Sequence, residues 1–428
     1  MDTVLALDVG SSSVRAQRFD EGGEPVGELR HAAYRTTDAD EISGIVRSLL
    51  DGAEPDGTSC FGHSLVAVDR AWKPLTPILG WRDTRSAAAA EWLRRRLDPA
   101  AVQARTGANL HPSFWPAKLA WLAEAMPDVY RDAAYFLSFP DFLRGEPATS
   151  LSNASGTGLL DLTAGDWDDE LLGVLGLERG RLPEIADLPV WIDAACSNLG
   201  AGCTGHERAA LMVGTSGALR ILYETERPHP KPGLFLYALD GRRVVEGGAL
   251  SDGGNLYAWL GEALAPAAGS LAGRTPADHG ITFLPFLGGE RSTGWDPAAR
   301  GTIDGLTFAA TPLDIRQAAL EGVAFRFAAI ADLLPDVTEL VATGGALLRD
   351  RDWIQIMADA LARPIRVSGV PEASLRGAAV LALGQLGHEV AEAPIAEVVE
   401  PRPEHAEAYA AARDEQQRLY DELYDAPA

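Results

Sequence analysis

Two apolar segments separated by a short polar turn open the chain. Residues 4–7 form a continuous apolar run, and apolar and polar positions alternate over 14–19. This pattern predicts two β-strands joined as a hairpin, with the glycine and three serines of 10–13 at its tip.

The same pattern returns about two hundred residues later. Residues 211–223 again consist of an apolar run, a glycine with small hydroxyl residues, and a second apolar run that carries an arginine. From Leu340 the sequence predicts a strand, a glycine pair and then a helix. The repetition indicates a duplicated α/β architecture, with a nucleotide held between the halves.

Both predicted hairpin tips combine a flexible glycine with hydroxyl side chains. Backbone N–H groups and hydroxyls at one point suit phosphate oxygens, and Asp8, at the end of the first strand, could hold Mg²⁺ directly or through water. The first tip alone is equally typical of an ordinary serine-rich turn. Its repetition favours the phosphate interpretation.

Residues 59–85 contain a second group of candidate ligand-binding side chains. His63, Trp81 and Asp83 are accompanied by Arg82 and Arg85 near predicted strand ends. A carboxylate and an imidazole bind hydroxyls, and an indole stacks on C–H faces, so the group suits a polyhydroxylated ligand. A structural histidine and salt-bridged arginines are the alternatives.

The region from 86 to 132 is predicted to be largely helical, with an interruption at 106–116 that could cover the ligand site. Within it, Phe114 and Trp115 are favoured as packing residues. The acidic residues at 168–170 are expected to begin a helix, where negative charge complements the helix dipole.

Asp193 follows an apolar run and precedes a helix of small residues. A carboxylate anchored at this point is a suitable general base for a sugar hydroxyl. The alternative from local sequence is a helix N-cap.

Composition limits the classes of function. The formal net charge of −24 argues against a nucleic-acid or anionic-membrane partner. No Gly-Lys-Ser/Thr is present, which excludes a P-loop. Three scattered cysteines favour reduced thiols over a disulfide framework or a zinc site. With no secretory signal and no apolar run of about eighteen residues, a cytoplasmic location is expected.

Seven motifs, taken in order, resemble those of the FGGY carbohydrate kinases over nearly the whole chain. They are LALDVGSSSVRA, FGHSLVAVD, ILGWRDTRS, MVGTSGALR, FLPFLGGERSTGWDPAARG, EGVAFR and ATGGALLRDRDWIQIMADALARPI. The resemblance implies two ribonuclease-H-like α/β domains of the actin and hexokinase type, flanking an interdomain cleft. We place the sugar- and phosphate-binding domain at 1–206 and the nucleotide-binding domain at 207–428.

The resemblance also implies roles for individual residues. Asp8 would organise Mg²⁺, and Asp193 would be the catalytic base and contact the substrate. The other expected sugar contacts are His63, Trp81, Asp83 and Ser113. The expected ATP contacts are Ser11, Ser12, Ser13, Arg15, Thr215, Gly254, Gly345 and Arg349.

The expected reaction is transfer of the γ-phosphoryl group of ATP to a sugar hydroxyl. Four segments, HSLVAVD, NASGTGLLDLTAGDWD, VGTSGALR and LFLYAL, most resemble gluconate kinases, with xylulose kinases next. Phosphorylation of another polyol is a further alternative, and a homodimer is left open.

The surroundings of Asp193 depart from the family pattern, because Trp191, Ile192 and Ala194 replace glycine or polar residues. The bulky pair could narrow the sugar site or raise the pKa of Asp193 by desolvation. These departures motivate an alternative of another class, a catalytically silent nucleotide-binding regulator of the same fold.

Overall fold

The computed structural model describes residues 3–264 and 269–424, and the chain divides into two compact units. Unit 1 contains the residues up to Thr204, Leu222–Glu246 and Val370–Ala393. Unit 2 contains Gly205–Ile221, Gly247–Gly369 and the residues from Pro394 onward. The first change of unit lies two residues before the predicted domain boundary at 206. The two later segments of unit 1 fall within the predicted second domain.

Strands and helices alternate along much of the chain. The strands are β1 Val4–Val9, β2 Ser13–Phe19, β3 Pro25–Ala33, β4 Gly57–Cys60, β5 Val66–Val68, β6 Tyr135–Leu137, β7 Ala148–Ser150, β8 Leu160–Asp161, β9 Asp166–Trp167, β10 Glu184–Ala186, β11 Val190–Ile192, β12 Gly205–Val213, β13 Gly217–Glu224, β14 Phe235–Ala238, β15 Arg243–Leu250, β16 Thr282–Leu284, β17 Thr302–Asp304, β18 Glu339–Thr343, β19 Ile365–Ser368 and β20 Ile395–Val399. The α-helices are α1 Ala39–Leu50, α2 Ala87–Arg94, α3 Pro99–Thr106, α4 Trp115–Ala125, α5 Pro127–Asp132, α6 Phe139–Arg144, α7 Leu151–Ser155, α8 Asp169–Leu175, α9 Asp193–Gly200, α10 Gly254–Ala263, α11 Pro312–Asp332, α12 Gly345–Leu348, α13 Arg351–Leu361, α14 Ala373–Gln385 and α15 Ala406–Tyr424.

The first predicted hairpin is confirmed as the antiparallel pair β1 and β2, which lies in a five-stranded sheet of unit 1. The order of this sheet is β11-β4-β1-β2-β3. Strand β4 pairs in parallel with both β1 and β11. The carboxyl ends of β1, β4 and β11 therefore meet at one edge of the sheet, where ligands of open α/β sheets commonly bind.

Helix α14 reaches unit 1 from late in the sequence and packs against α9. Two glycines permit unusually close backbone approach: a Cβ added at Gly377 would lie 1.8 Å from the carbonyl oxygen of Cys196, and one added at Gly200 would lie 1.8 Å from that of Ala373. The guanidinium of Arg376 donates to the oxygen of Gly200 at 3.1 Å. Asp193 begins α9, so this helix pair positions Asp193.

The second sheet has the strand order β14-β15-β13-β12-β18-β19-β20. Within unit 2, β12, β18 and β19 run parallel and β20 is antiparallel to β19. The second predicted hairpin corresponds to β12 and β13, and its tip closes through the Gly214 N–H, which donates to the oxygen of Ser216 at 3.0 Å. The predicted strand, glycine pair and helix from Leu340 is also confirmed.

Two of the quoted motifs meet in a buried ion pair of unit 2. Arg326, from EGVAFR, donates to the carboxylate of Glu290, from GGERSTGW, at 2.8 Å, and both side chains are almost fully buried. The Tyr420 hydroxyl of α15 donates to the same carboxylate at 2.8 Å. These motif residues thus anchor the last helix to unit 2.

Local helix signals agree with the structure. Asp168 caps α8 by accepting the N–H of Leu171, and Phe114 and Trp115 are buried. Cys60, Cys196 and Cys203 are buried and are not joined in disulfides, and burial raises the pKa of the Cys60 and Cys196 thiols. In the described part of the chain, the helices are too short or too polar to cross a membrane.

Candidate active site

Asp8 lies on β1, near the carboxyl edge of the unit 1 sheet, and is nearly fully buried. Its carboxylate accepts a hydrogen bond from the Ser59 hydroxyl at 2.8 Å and one from the Arg15 guanidinium at 3.3 Å. Burial raises the pKa of Asp8 to about 6, and the negative charges of Asp193 and Glu372 add to this effect, whereas Ser59 and Arg15 oppose it. Burial is therefore the main reason that the charged form of this carboxyl is disfavoured.

Asp193 lies at the same sheet edge as Asp8. Asp8 and Trp191 are both paired with Ser59 of the intervening strand, and Asp193 follows two residues after Trp191. Adjacent strands are about 4.8 Å apart, so the two aspartates lie on the order of 10 Å from each other across β4. Asp193 is the first residue of α9, and the N-cap position is occupied by Ile192, so the N-cap alternative is wrong.

Asp8 also fits the requirements for holding Mg²⁺. Magnesium in phosphoryl-transfer sites is commonly bound by one or two carboxylates, with waters and substrate phosphates completing its octahedron. A buried carboxylate beside two further acidic groups favours a cation electrostatically. Among the described residues there is no cluster of three or more acidic, histidine or cysteine side chains that could hold a metal ion.

The first hairpin tip exposes Ser11 and Ser12 but buries Ser13. The Gly10 N–H donates to the oxygen of Ser13 at 2.9 Å, which closes the tip. Arg15 is engaged within unit 1, since its guanidinium bridges Asp8 at 3.3 Å and Glu372 at 2.9 Å. The structure thus shows Arg15 bonded to carboxylates, and its expected contact with ATP phosphates stays a prediction.

A cavity of about 500 Å³ in unit 1 brings two predicted groups together. Its lining includes Ser11 and Ser12 from the hairpin tip, and Trp81, Arg82 and Asp83 from the second group. The Arg82 guanidinium lies 4.8 Å from the centre of the Trp81 ring. The lining of this cavity therefore combines residues suited to phosphate with residues suited to a polyhydroxylated ligand.

Asp83 is paired with Arg85 in a forked arrangement. The Arg85 Nε donates to Asp83 at 2.9 Å, and the guanidinium also lies over the ring of Trp121. Burial alone would raise the pKa of Asp83, but the hydrogen bonds and charge of Arg85, with the charge of Lys118, hold it below its usual range. The salt-bridged alternative for Arg85 is confirmed.

His63 adopts a left-handed backbone conformation, with φ of 64°. Its Nδ1 lies 2.5 Å from the carbonyl oxygen of Gly156, and its ring packs edge-on against Phe114 and Tyr237. A carbonyl oxygen only accepts, so Nδ1 carries the proton in this bond. In the neutral ring, Nε2 is then the nitrogen that accepts a hydrogen bond from a hydroxyl.

Ser113 is fully buried, and its hydroxyl donates to the backbone oxygen of Trp81 at 3.1 Å. The structure therefore shows the Ser113 hydroxyl bonded to the backbone of Trp81, while its expected sugar contact stays a prediction. Lys118, which sequence reasoning missed, is also buried and donates to the oxygens of His63 and Leu79. A lysine in a helical pattern is normally expected to be exposed. The one sequence signal for burial is that Lys118 follows Trp115 by three residues, which places both on the same face of the helix.

The two bulky residues before Asp193 lie in different surroundings. Ile192 fills the space beside two glycines: its Cδ1 would lie 2.8 Å from a Cβ at Gly62 and 2.4 Å from one at Gly156. Because Gly156 also binds His63, Ile192 borders the His63 turn. Trp191 instead lines a separate cavity of about 860 Å³.

Three glycine segments meet in unit 2. The Gly254 N–H donates to the oxygen of Gly214 at 2.9 Å, and a Cβ at Gly254 would lie 2.4 Å from that oxygen. Gly344 has φ of 88°, and a Cβ there would lie 2.5 Å from the carbonyl carbon of Val213. The second hairpin tip, the start of α10 and the start of α12 therefore form one continuous backbone surface.

The expected nucleotide-binding residues of unit 2 lie in or beside this surface. Thr215, Gly345 and Arg349 are exposed. The Arg349 guanidinium lies over Gly345, 3.5 Å from where a Cβ would be. Within the described ranges, Arg349 has no acidic partner within salt-bridge distance. The surface thus offers exposed glycine backbone, a hydroxyl and a guanidinium without an acidic partner in the described ranges, which suits a nucleotide.

Asp252 lies next to this surface and was missed from the sequence. Its side chain is almost fully buried, one oxygen accepts the Gly288 N–H at 3.5 Å, and Oδ1 has no hydrogen-bond partner among the described residues. Burial raises the pKa of Asp252 from 3.8 to about 7, against the opposing hydrogen bonds of Gly288 and Leu287.

The raised pKa of Asp252 predicts a pH-dependent stability difference. Because its pKa is higher in the folded state, the carboxyl of Asp252 contributes to the stability of the fold. The contribution is fully present below pH 3.8 and is lost as pH rises through about 7. The free energy of unfolding of wild type should therefore fall between pH 5 and pH 8. Relative to wild type, that of Asp252→Asn is expected to rise by about 2 kcal/mol over the same interval. Urea unfolding of both proteins at the two pH values checks this, and a constant difference would contradict it.

Comparison with known proteins identifies the family. The profile of the N-terminal domain of the FGGY family of carbohydrate kinases matches residues 55–205, and that of the C-terminal domain matches residues 209–386. The chain belongs to the FGGY family of carbohydrate kinases. It is a sugar kinase with the actin- and hexokinase-like fold, and kinases of this family use ATP.

Individual relatives differ in substrate. The chain is 28% identical to a gluconokinase from Bacillus subtilis, over 90% of this chain and 88% of the relative. It is 31% identical to a glycerol kinase from Trichlorobacter lovleyi, over 91% of each. The solved structure of a xylulose kinase from Rhodospirillum rubrum superposes with a TM-score of 0.83 at 25% identity, over 99% of each chain.

Proposed function

We propose that this sugar kinase phosphorylates a hydroxyl of a sugar acid, with gluconate as its substrate and 6-phosphogluconate as its product. The observation that carries the proposal is the cavity of about 500 Å³, which is lined in part by Ser11, Ser12, Trp81, Arg82 and Asp83. Similarity to the Bacillus subtilis gluconokinase supports the same substrate.

In the proposed reaction Asp193 accepts the proton of the attacking hydroxyl. Its place at the start of α9, fixed by α14, holds the carboxylate at the sheet edge near Asp8. Asp8 would hold Mg²⁺, which when bound neutralises charge on the phosphate oxygens. The exposed serines Ser11 and Ser12 would donate to those oxygens from the hairpin tip.

The sugar would bind through the second group of side chains. Trp81 stacks on its C–H face, Asp83 accepts its hydroxyls, and the Nε2 of His63 accepts another hydroxyl. Ser113 would contribute indirectly, because its hydroxyl donates a hydrogen bond to the backbone oxygen of Trp81 and so helps to position that residue. In unit 2, Thr215, Gly254, Gly345 and Arg349 would bind the nucleotide.

Arg82 is the residue we assign to the carboxylate of a sugar acid. Arg85 is occupied by Asp83, whereas Arg82 has no acidic partner in the described part of the chain and lines the cavity. A guanidinium binds a carboxylate through two parallel hydrogen bonds, which a neutral polyol cannot form. Xylulose and glycerol are the alternative substrates, as the corresponding relatives indicate.

An acceptor screen tests the proposal. We expect ATP-dependent ADP release to be strongest with gluconate, and weaker with xylulose, ribulose, glycerol and erythritol. Arg82→Gln should reduce kcat/KM for gluconate by about tenfold or more, because a charged hydrogen bond of about 1.5–3 kcal/mol is lost. Its effect on neutral acceptors should be smaller than about twofold.

Arg70→Gln provides the matched control, since it removes an exposed arginine that does not line this cavity. A preference of the wild-type enzyme for xylulose or glycerol would overturn the choice of gluconate. Equal losses for gluconate and neutral acceptors in Arg82→Gln would overturn the role of Arg82.

A further inference from the structure

Four backbone carbonyls near the proposed sugar site are held by side chains of one short segment, 111–118. The Trp115 indole donates to the oxygen of Ser64 at 2.8 Å, and the Ser113 hydroxyl donates to that of Trp81 at 3.1 Å. Lys118 donates to the oxygens of His63 and Leu79. The segment thus ties the His63 turn to the backbone that leads to Trp81.

Lys118 is the most unusual of these residues. Its side chain is 1% exposed, although the burial of an ammonium group is costly unless it is well bonded. Trp115 and Lys118 are three residues apart at the start of α4, so they lie on one face of the helix and reach consecutive carbonyls. The charge of Lys118 also contributes to the lowered pKa of Asp83.

The His63 turn needs such support. His63 has φ of 64°, a left-handed conformation that is strained for a non-glycine residue. The hydrogen bond from Lys118 to the His63 oxygen lies at this strained peptide. The same turn determines whether the His63 ring reaches the carbonyl oxygen of Gly156. That hydrogen bond in turn determines which ring nitrogen carries the proton.

We propose that Lys118 is a positioning residue that fixes the His63 turn and the Trp81 segment in the geometry that binds the acceptor sugar. This inference rests on the proposed function for its kinetic consequence. Lys118 acts through His63 and Trp81 and need not touch the substrate. Its loss should therefore affect binding of the acceptor and leave binding of ATP unchanged.

The test compares Lys118→Met, Lys118→Arg and a matched control, Gln103→Leu. Gln103 is also buried and donates to two backbone carbonyls of unit 1, Lys231 at 3.0 Å and Leu234 at 2.8 Å, outside the proposed site. We expect Lys118→Met to raise the acceptor KM at least tenfold with gluconate, or with xylulose should that be the preferred acceptor. The KM for ATP should change by less than twofold, Lys118→Arg should restore part of the loss, and Gln103→Leu should leave both constants unchanged.

A second measurement does not depend on activity. The imidazole ¹⁵N signals of His63, identified by their loss in His63→Gln, should show the Nδ1–H tautomer in wild type and its loss in Lys118→Met. If the wild-type protein phosphorylated none of the acceptors, the proposed function would be overturned. The measurement of the His63 tautomer would still test the role of Lys118.

Two outcomes would overturn the positioning role. One is an unchanged acceptor KM together with an unchanged His63 tautomer in Lys118→Met. The other is an equal rise in both KM values, which would show a general structural effect. If Lys118→Met does not fold, Trp115→Phe removes the neighbouring bond to Ser64 and must shift the acceptor KM in the same direction; an unchanged value would count against the proposal.

Discussion

Asp193→Asn is expected to lower kcat by about 10³-fold while leaving the fold and ATP binding intact. An amide of the same shape cannot accept the hydroxyl proton, so the loss should fall on the chemical step. Asp193 begins α9, and its backbone is held by the contacts of α9 with α14, which the substitution does not touch. Steady-state kinetics with a saturating acceptor, with nucleotide binding followed by thermal shift, checks both parts.

Asp187→Asn is the matched control, because it removes a carboxylate six residues earlier that lines the separate cavity of about 860 Å³. It should retain wild-type kcat. If Asp193→Asn kept more than about a tenth of wild-type kcat, another group would have to be the base. If it lost ATP binding as well, its effect could not be assigned to proton transfer.

Gly377→Ala is expected to destabilise the protein by about 3 kcal/mol or more, a fall in Tm on the order of 10 °C. The added Cβ would lie 1.8 Å from the carbonyl oxygen of Cys196, so α9 and α14 must separate. Because α9 carries Asp193, the variant should also lose activity at temperatures where it remains folded. Calorimetric unfolding and kcat measured well below Tm test the two effects.

Gly384→Ala lies on the same helix and serves as its control. No atom lies within 4 Å of a Cβ at Gly384, so the substitution should be neutral or stabilise by about 0.5–1 kcal/mol through helix propensity. Equal stability of both alanine variants would show that the helices are not packed as described.

Much of the fold was predictable where local sequence determines local structure. The hairpin around 10–13 and the glycine pair at 344–345 were predicted from apolar runs interrupted by turn residues, and both are present. The start of a helix at the acidic residues 168–170 followed from the same local rules. Such signals depend on neighbours within a few residues, and a sequence displays these directly.

Contacts between distant segments could not be predicted in this way. The close approach of Gly200 and Gly377 to the facing backbone joins helices more than 170 residues apart in the sequence, and nothing local distinguishes these glycines from Gly384. The position of Lys118 required knowledge of which helix face is buried. Asp193 illustrates the same limit, since local sequence favoured a cap and a base equally.

The membership of Val370–Ala393 in unit 1 has a consequence for synthesis of the chain. Helix α14 covers β1 and β4, yet it leaves the ribosome only after more than three hundred intervening residues. The sheet that carries Asp8 must therefore stay incompletely covered through most of translation. The nascent chain should depend on chaperones during that interval, since exposed apolar surface promotes aggregation.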